Sequence, residues 1–304
     1  MIRSDARWTR EAITVAGGLG LGATLSQLYL PDGLSVDHEG TVFIADWWNN
    51  RIVAWKQNAK EAYVVAGKSE NNRGALEDLF RPSDVLFDKD TNSFIISDNG
   101  KRRVIRLFCE NGVTRVETIV ENILCWGLTI DSEGSLYVTD LEKHAVRRYR
   151  KGEKMTAGTI VAGGHGQGNR PNQLDTPLYV FVDCERTIYV SDHDNHRVMK
   201  WMEDATEGVL VAGGSDAGED LAHLCCPSGI IVDQQGTIYV ADSLNHRVIR
   251  WCRGALRGEL IAGGHGQGKG AHQLDQPKGL AFDHHGYIYV VDKNNHRVQR
   301  FSIR

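Results

Sequence analysis

Twelve aspartates, three Asn-His-Arg-Val tetrads, two glycine-rich hexapeptides and six cysteines are the residues of this chain whose types and spacing can carry chemistry. Aspartates serve as acids, bases or metal ligands, histidines ligate zinc, and glycine loops cradle phosphates. The first three sets share one property that argues against these roles, because they recur. Asp46, Asp98, Asp140, Asp192, Asp242 and Asp292 each close a short apolar run, at intervals of 52, 42, 52, 50 and 50 residues. Asp37, Asp88, Asp131, Asp183, Asp233 and Asp283 close the run before each of them. A ligating or catalytic group is needed once, where several donors converge, whereas an aspartate at every turn caps backbone N–H groups and pairs with an arginine three to five residues on. Gly163–Gly168 and Gly263–Gly268 lack both the helix and the Lys-Ser/Thr that a phosphate loop requires, so they read as connections between repeats. Cys109, Cys125, Cys184, Cys225, Cys226 and Cys252 hold no recurring place and form no two-residue-spaced pair. They are expected to be free buried thiols in a reducing, cytoplasmic interior, with the adjacent Cys225 and Cys226 a local packing substitution.

The elements that position these residues are strands. In the fifth repeat, Pro227–Asp233 and Thr237–Asp242 are β-branched and aromatic runs around a Gln-Gln-Gly turn, followed by His246–Trp251 and Glu259–Gly263. Four antiparallel strands per unit of about 50 residues describe a propeller blade, which cannot bury its own apolar faces and must stack on neighbours. The fold expected is all-β, a six-bladed β-propeller. The last unit stops after its third strand, and Ala12–Gly17 matches the missing fourth, so the amino terminus closes the ring. Residues 1–10 are then a polar lead-in and 11–304 a single domain, and trimming 1–17 damages folding. No apolar stretch is long enough to span a bilayer, and 35 basic residues face 39 acidic ones. No membrane partner is expected, and the chain is read as a monomer.

Asn195-His196-Arg197-Val198, Asn245-His246-Arg247-Val248 and Asn295-His296-Arg297-Val298 each begin three residues after a strand-ending aspartate, and they resemble the NHL repeats, which form six-bladed propellers. Asn49-Asn50-Arg51-Ile52, Lys101-Arg102-Arg103-Val104 and Lys143-His144-Ala145-Val146 depart from the pattern in the first three units. The resemblance implies a rigid scaffold whose loops collect at the mouth of a central channel.

Function is therefore sought where the repeat breaks. Trp47 and Trp48 stand in the first unit, Lys101, Arg102 and Arg103 in the corresponding loop of the second, and Trp126 in the ring of channel-proximal positions Asp32, Ser83, Trp126, Leu178, Ser228 and Lys278. Aromatic anchors beside cations suit a protein or peptide partner, with no cofactor, and leave single-stranded RNA as a further reading against an acidic overall charge. The alternative is a channel-mouth enzyme acting on a small molecule. Asp84, Tyr179 and Lys278 would be its catalytic residues, and Asp32, Asp84 and His223 the ligands of any metal, since similar six-bladed lyases and lactonases depend on one.

Overall fold

The apolar and aromatic runs of the fifth repeat form three neighbouring strands, Pro227–Val232, Ile238–Asp242 and Arg247–Trp251, with Glu259–Gly263 as the outer edge. Five other sheets of the same kind complete a computed structural model that describes residues 6–68, 78–110, 113–152, 158–214 and 216–303. Inner strands of consecutive blades touch one another all the way round, including the sixth against the first. Six hydrophobic clusters lie between adjacent blades rather than within them. This follows from the geometry of a sheet, whose two faces are both apolar here and can be covered only by neighbours. The aromatics that close the third strands, Trp55, Tyr149, Trp201, Trp251 and Phe301, are buried in these seams. Each such burial contributes about 2–3 kcal/mol.

The ring closes through Ile13–Gly17, which pairs antiparallel with Arg297–Phe301. Closure extends further back than the strand. Trp8 is buried, bridges to Ile303, donates its indole N–H to the Gly286 carbonyl at 3.3 Å and meets Tyr239 edge-on at 5.6 Å. Residues 6–10, which the sequence sets apart as a lead-in, thus reach the seam between the fifth and sixth blades.

One connection departs from the rest. The outer strand of the second blade, Val113–Glu121, passes almost directly into the third inner strand, Cys125–Ile130, so the glycine loop found elsewhere is absent. No helix among the described residues is long and apolar enough to cross a membrane.

Candidate functional site

The recurring polar residues form the frame of the face that carries the loops from second to third strands and from each blade to the next. In the fifth blade, Asp242 Oδ2 accepts from Arg247 Nε at 2.7 Å and from Asn245 at 2.8 Å, while Oδ1 accepts the Cys225 N–H at 2.6 Å. The guanidinium then caps the carbonyls of Glu219, Asp220 and His223, tying down the incoming loop. Blades one, four and six repeat this set, and Arg103 with Asp98 serves the second. In the third blade Ala145 replaces the arginine, and Arg147 reaches Asp140 instead at 2.8 Å.

The residue after each motif Asn, or its counterpart, has left-handed backbone in all six blades, with φ between 48° and 55° at Asn50, Arg102, His144, His196, His246 and His296. That conformation aims four imidazoles at the next blade. Nδ1 of His144, His196, His246 and His296 accepts the backbone N–H of Thr176, Cys226, Gln276 and Leu30, each at 3.2 Å. The motif histidines are blade-to-blade latches.

What breaks the repeat collects around the first blade. Asn50 uses its side-chain oxygen as the latch and accepts the Arg81 N–H at 2.8 Å, fixing Arg81 beside Trp47 and Trp48. The Arg81 guanidinium lies 4.8 Å from the Trp47 ring, 5.5 Å from Trp48 and 5.3 Å from Phe80. It makes no ion pair among the described residues. Trp48 packs on Tyr29 at 5.4 Å yet remains 44% exposed, and Phe80 is 45% exposed. Lys293, from the sixth blade, places its ammonium 5.3 Å from the centre of the Trp47 ring.

The same lysine leads into the channel. Its ammonium donates to Asp32 at 2.5 Å, and the fully buried Asp32 also accepts from Tyr179 Oη at 2.7 Å and Trp126 Nε1 at 3.2 Å. Four blades therefore converge on one carboxylate. Beside it, Asp84 accepts the Val85 and Leu128 N–H groups, both at 2.9 Å. Burial, against those hydrogen bonds and with the Asp32 charge adding to it, pushes the Asp84 carboxyl up to about 8. Lys278 donates to Ser228 Oγ at 3.1 Å, and burial brings its ammonium down to about 8. Burial first, then Asp32, holds the Tyr179 phenol well above its ordinary range.

The structure divides the residues expected from sequence. Trp47, Trp48 and Trp126 lie on the rim and channel wall, joined through Lys293 and Asp32. Lys101 binds the Asp78 side chain at 3.0 Å, Arg102 the exposed Glu142 at 2.6 Å, and Arg103 belongs to the frame. Asp32 and Asp84 share the channel, whereas His223 pairs with Asp220 at 2.8 Å in the loop before the fifth blade. These three do not gather as a ligand set, and Asp32 is already engaged by three donors, so this trio does not fit a channel zinc or calcium. Arg81, Phe80, Tyr29 and Lys293 were missed. Their signal is positional: Leu30, Arg81, Thr176, Cys226 and Gln276 each precede the first proline of a blade, and only Arg81 carries a charge there. The thiols also differ from expectation, since only Cys125 is buried, while Cys109 and Cys184 are exposed and all six are free.

Comparison with known proteins bears on the fold. The NHL repeat family model matches residues 224–251 and 274–301. No curated protein matches the chain. Among solved structures, an auxiliary nutrient binding protein from Bacteroides thetaiotaomicron VPI-5482 superposes with a TM-score of 0.74 at 13% identity, covering 98% of this chain and 77% of that one. A gluconolactonase from Xanthomonas campestris gives 0.66 at 14% identity, covering 100% and 99%. A virginiamycin B lyase from Staphylococcus aureus gives 0.57 at 12% identity, covering 98% and 99%. At these identities the likeness is one of fold.

Proposed function

We propose that this six-bladed propeller, in which the NHL repeat model matches two blades, is a recognition platform for a protein or peptide, bound on the rim between the first and second blades. The observation that carries this reading is the Arg81 guanidinium set among Trp47, Trp48 and Phe80, with no carboxylate paired to it among the described residues. Aromatic rings and a partly desolvated arginine are the side chains that dominate binding energy at interfaces, and the frame beneath holds them rigid at little entropic cost. A guanidinium against aromatic faces selects a ligand with a carboxylate next to an apolar or aromatic side chain. The test is selection from a displayed random-peptide library. Peptides enriched in Asp or Glu beside an apolar residue are expected, with a loss of about tenfold or more in affinity for Trp48→Ala and for Arg81→Ala. Enriched peptides that bind both variants as well as the parent would place recognition elsewhere.

A channel-mouth enzyme is the second reading, favoured by one pair of observations: a carboxyl raised and an ammonium lowered to about 8 each, at Asp84 and Lys278. Environments that push acid and base pKa values towards neutrality accompany proton transfer. Propellers of like fold include a gluconolactonase and a lyase as well as a nutrient binding protein. Assay against a panel of lactones decides this reading. Turnover abolished in Asp84→Asn and Lys278→Met would support it, and turnover retained in both and in Tyr179→Phe would remove it.

A further inference from the structure

Two departures from the repeat meet at the junction of the fourth and fifth blades. In the five blades whose inner strand begins at or just after a proline, the pair of residues before that proline is Tyr29-Leu30, Phe80-Arg81, Asp175-Thr176 and Asp275-Gln276 elsewhere, and Cys225-Cys226 here. The residue that follows each second-strand aspartate is Trp47, Asn99, Leu141, Ser243 and Lys293 elsewhere, and His193 here. The frame does not require the Cys pair, whose backbone bonds are those of the other four pairs: Cys225 N–H to Asp242 and Cys226 N–H to His196. At the His193 position the frame asks only for a donor to the next blade's inner strand, which Asn99 and Ser243 supply elsewhere with an amide and a hydroxyl.

The donors nevertheless converge. Ligand atoms of His193, Asp194 and Cys226 lie within 4.8 Å of one another, as do those of His196, Cys225 and Cys226, so Cys226 belongs to both groups. The outer contacts suit ligation. His193 Nδ1 lies 2.9 Å from the Pro227 carbonyl and must donate to it, which leaves the Nε2 lone pair free, 3.9 Å from Asp194 Oδ1. Thr176 donates to the other oxygen of Asp194 at 2.6 Å, fixing the carboxylate. Orienting bonds of this kind are the usual support of metal ligands. His196 differs, since its Nδ1 is occupied by the Cys226 N–H, and it acts from outside the set.

We infer that Cys226, His193 and Asp194 form a three-donor site for one thiophilic divalent cation of the zinc class, clamping the fourth blade to the loop entering the fifth. A sulfur, an imidazole and a carboxylate are three donors of the softness that zinc takes, with the fourth tetrahedral position left to solvent. Each cysteine that ligates gives up its proton to the buffer, so uptake of the cation releases protons and tightens with rising pH. The inference is independent of the peptide rim, and Lys278 of the channel wall is the cation within electrostatic reach of these ligands.

Titration of the full chain with Co2+, under a non-thiol reductant, tests it. One equivalent is expected to develop an intense near-ultraviolet thiolate-to-cobalt band with tetrahedral visible bands, which Zn2+ then bleaches. Cys226→Ser and His193→Gln should each weaken binding about tenfold or more, and Cys252→Ser should leave it unchanged. Zn2+ should also raise the Tm of the parent and not of His193→Gln, so the imidazole variant decides the matter if the serine variant folds poorly. Absence of the band in the parent would overturn the inference. So would a band unaltered in His193→Gln, which would mean a bare dithiol, or one lost equally in Cys252→Ser.

Discussion

At the rim between the first two blades, Arg81 rests on three aromatic rings and meets no carboxylate among the described residues, while Trp48 and Phe80 remain open to solvent. In the channel below, Lys293 and Asp32 face each other, and Tyr179 and Trp126 complete the carboxylate. Both regions are assembled from the same loop and inner-strand positions of neighbouring repeats. They differ in whether a charge has found its partner within the protein. A buried ion pair with its hydrogen bonds filled is held by its own network, and removing one member strands the other in a low-dielectric setting. A cation on aromatic faces at the surface loses little when removed and has capacity left for a ligand.

The largest effect tests what both regions stand on. Deletion of residues 1–17 removes the closing strand and Trp8 together, and the product is expected to aggregate or lose its cooperative thermal transition; a deletion protein with the parent's Tm would break the closure on which rim and channel depend. Next comes the comparison itself. Lys293→Met is expected to cost about 3–5 kcal/mol, because Asp32 is left buried without its counter-ion. Arg81→Ala should cost no more than about 1 kcal/mol. Chemical denaturation measures both, and equal losses would erase the distinction.

Asp84 sharpens it through pH. Its folded carboxyl titrates at about 8 and its unfolded one near 3.8. The protonated form is favoured in the fold, so its contribution is fully present below the unfolded value and fades as pH rises towards 8. The stability of the parent relative to Asp84→Asn should therefore fall between about pH 4 and pH 8, and a difference constant with pH would mean the channel leaves that carboxyl unperturbed. A local effect concerns the frame. His246→Ala removes the acceptor of the Gln276 N–H and is expected to cost about 1–3 kcal/mol, with peptide selection at the rim unaltered.

Much of the fold was legible because it repeats. Asp242, Asn245 and Arg247 stand at fixed offsets in one blade after another, and local spacing is enough to assign them to turn and strand. The latching role of the histidines was not legible as such, since it depends on a left-handed backbone that delivers His246 to Gln276 on the next blade, 30 residues away. At the site, the tryptophans were found because they break a pattern. The basic run Lys101–Arg103 broke it too, yet each member meets an acid: Asp78, Glu142 and Asp98 respectively. Charge patterns along a chain show cations without showing which of them are already neutralised.

The sequence alone determined that there are six blades, that each has four strands, and that the segment Ala12–Gly17, seen as the strand Ile13–Gly17, completes the last. These follow from alternation and period, which are properties of neighbouring residues. Only the tertiary structure decided that Asp32 meets Trp126, Tyr179 and Lys293 across separations of 94, 147 and 261 residues. Closing the ring turns positions that are equivalent in the repeat into neighbours across a channel. Which side chains reach one another there depends on their lengths and on the burial around them, and no period in the sequence carries either.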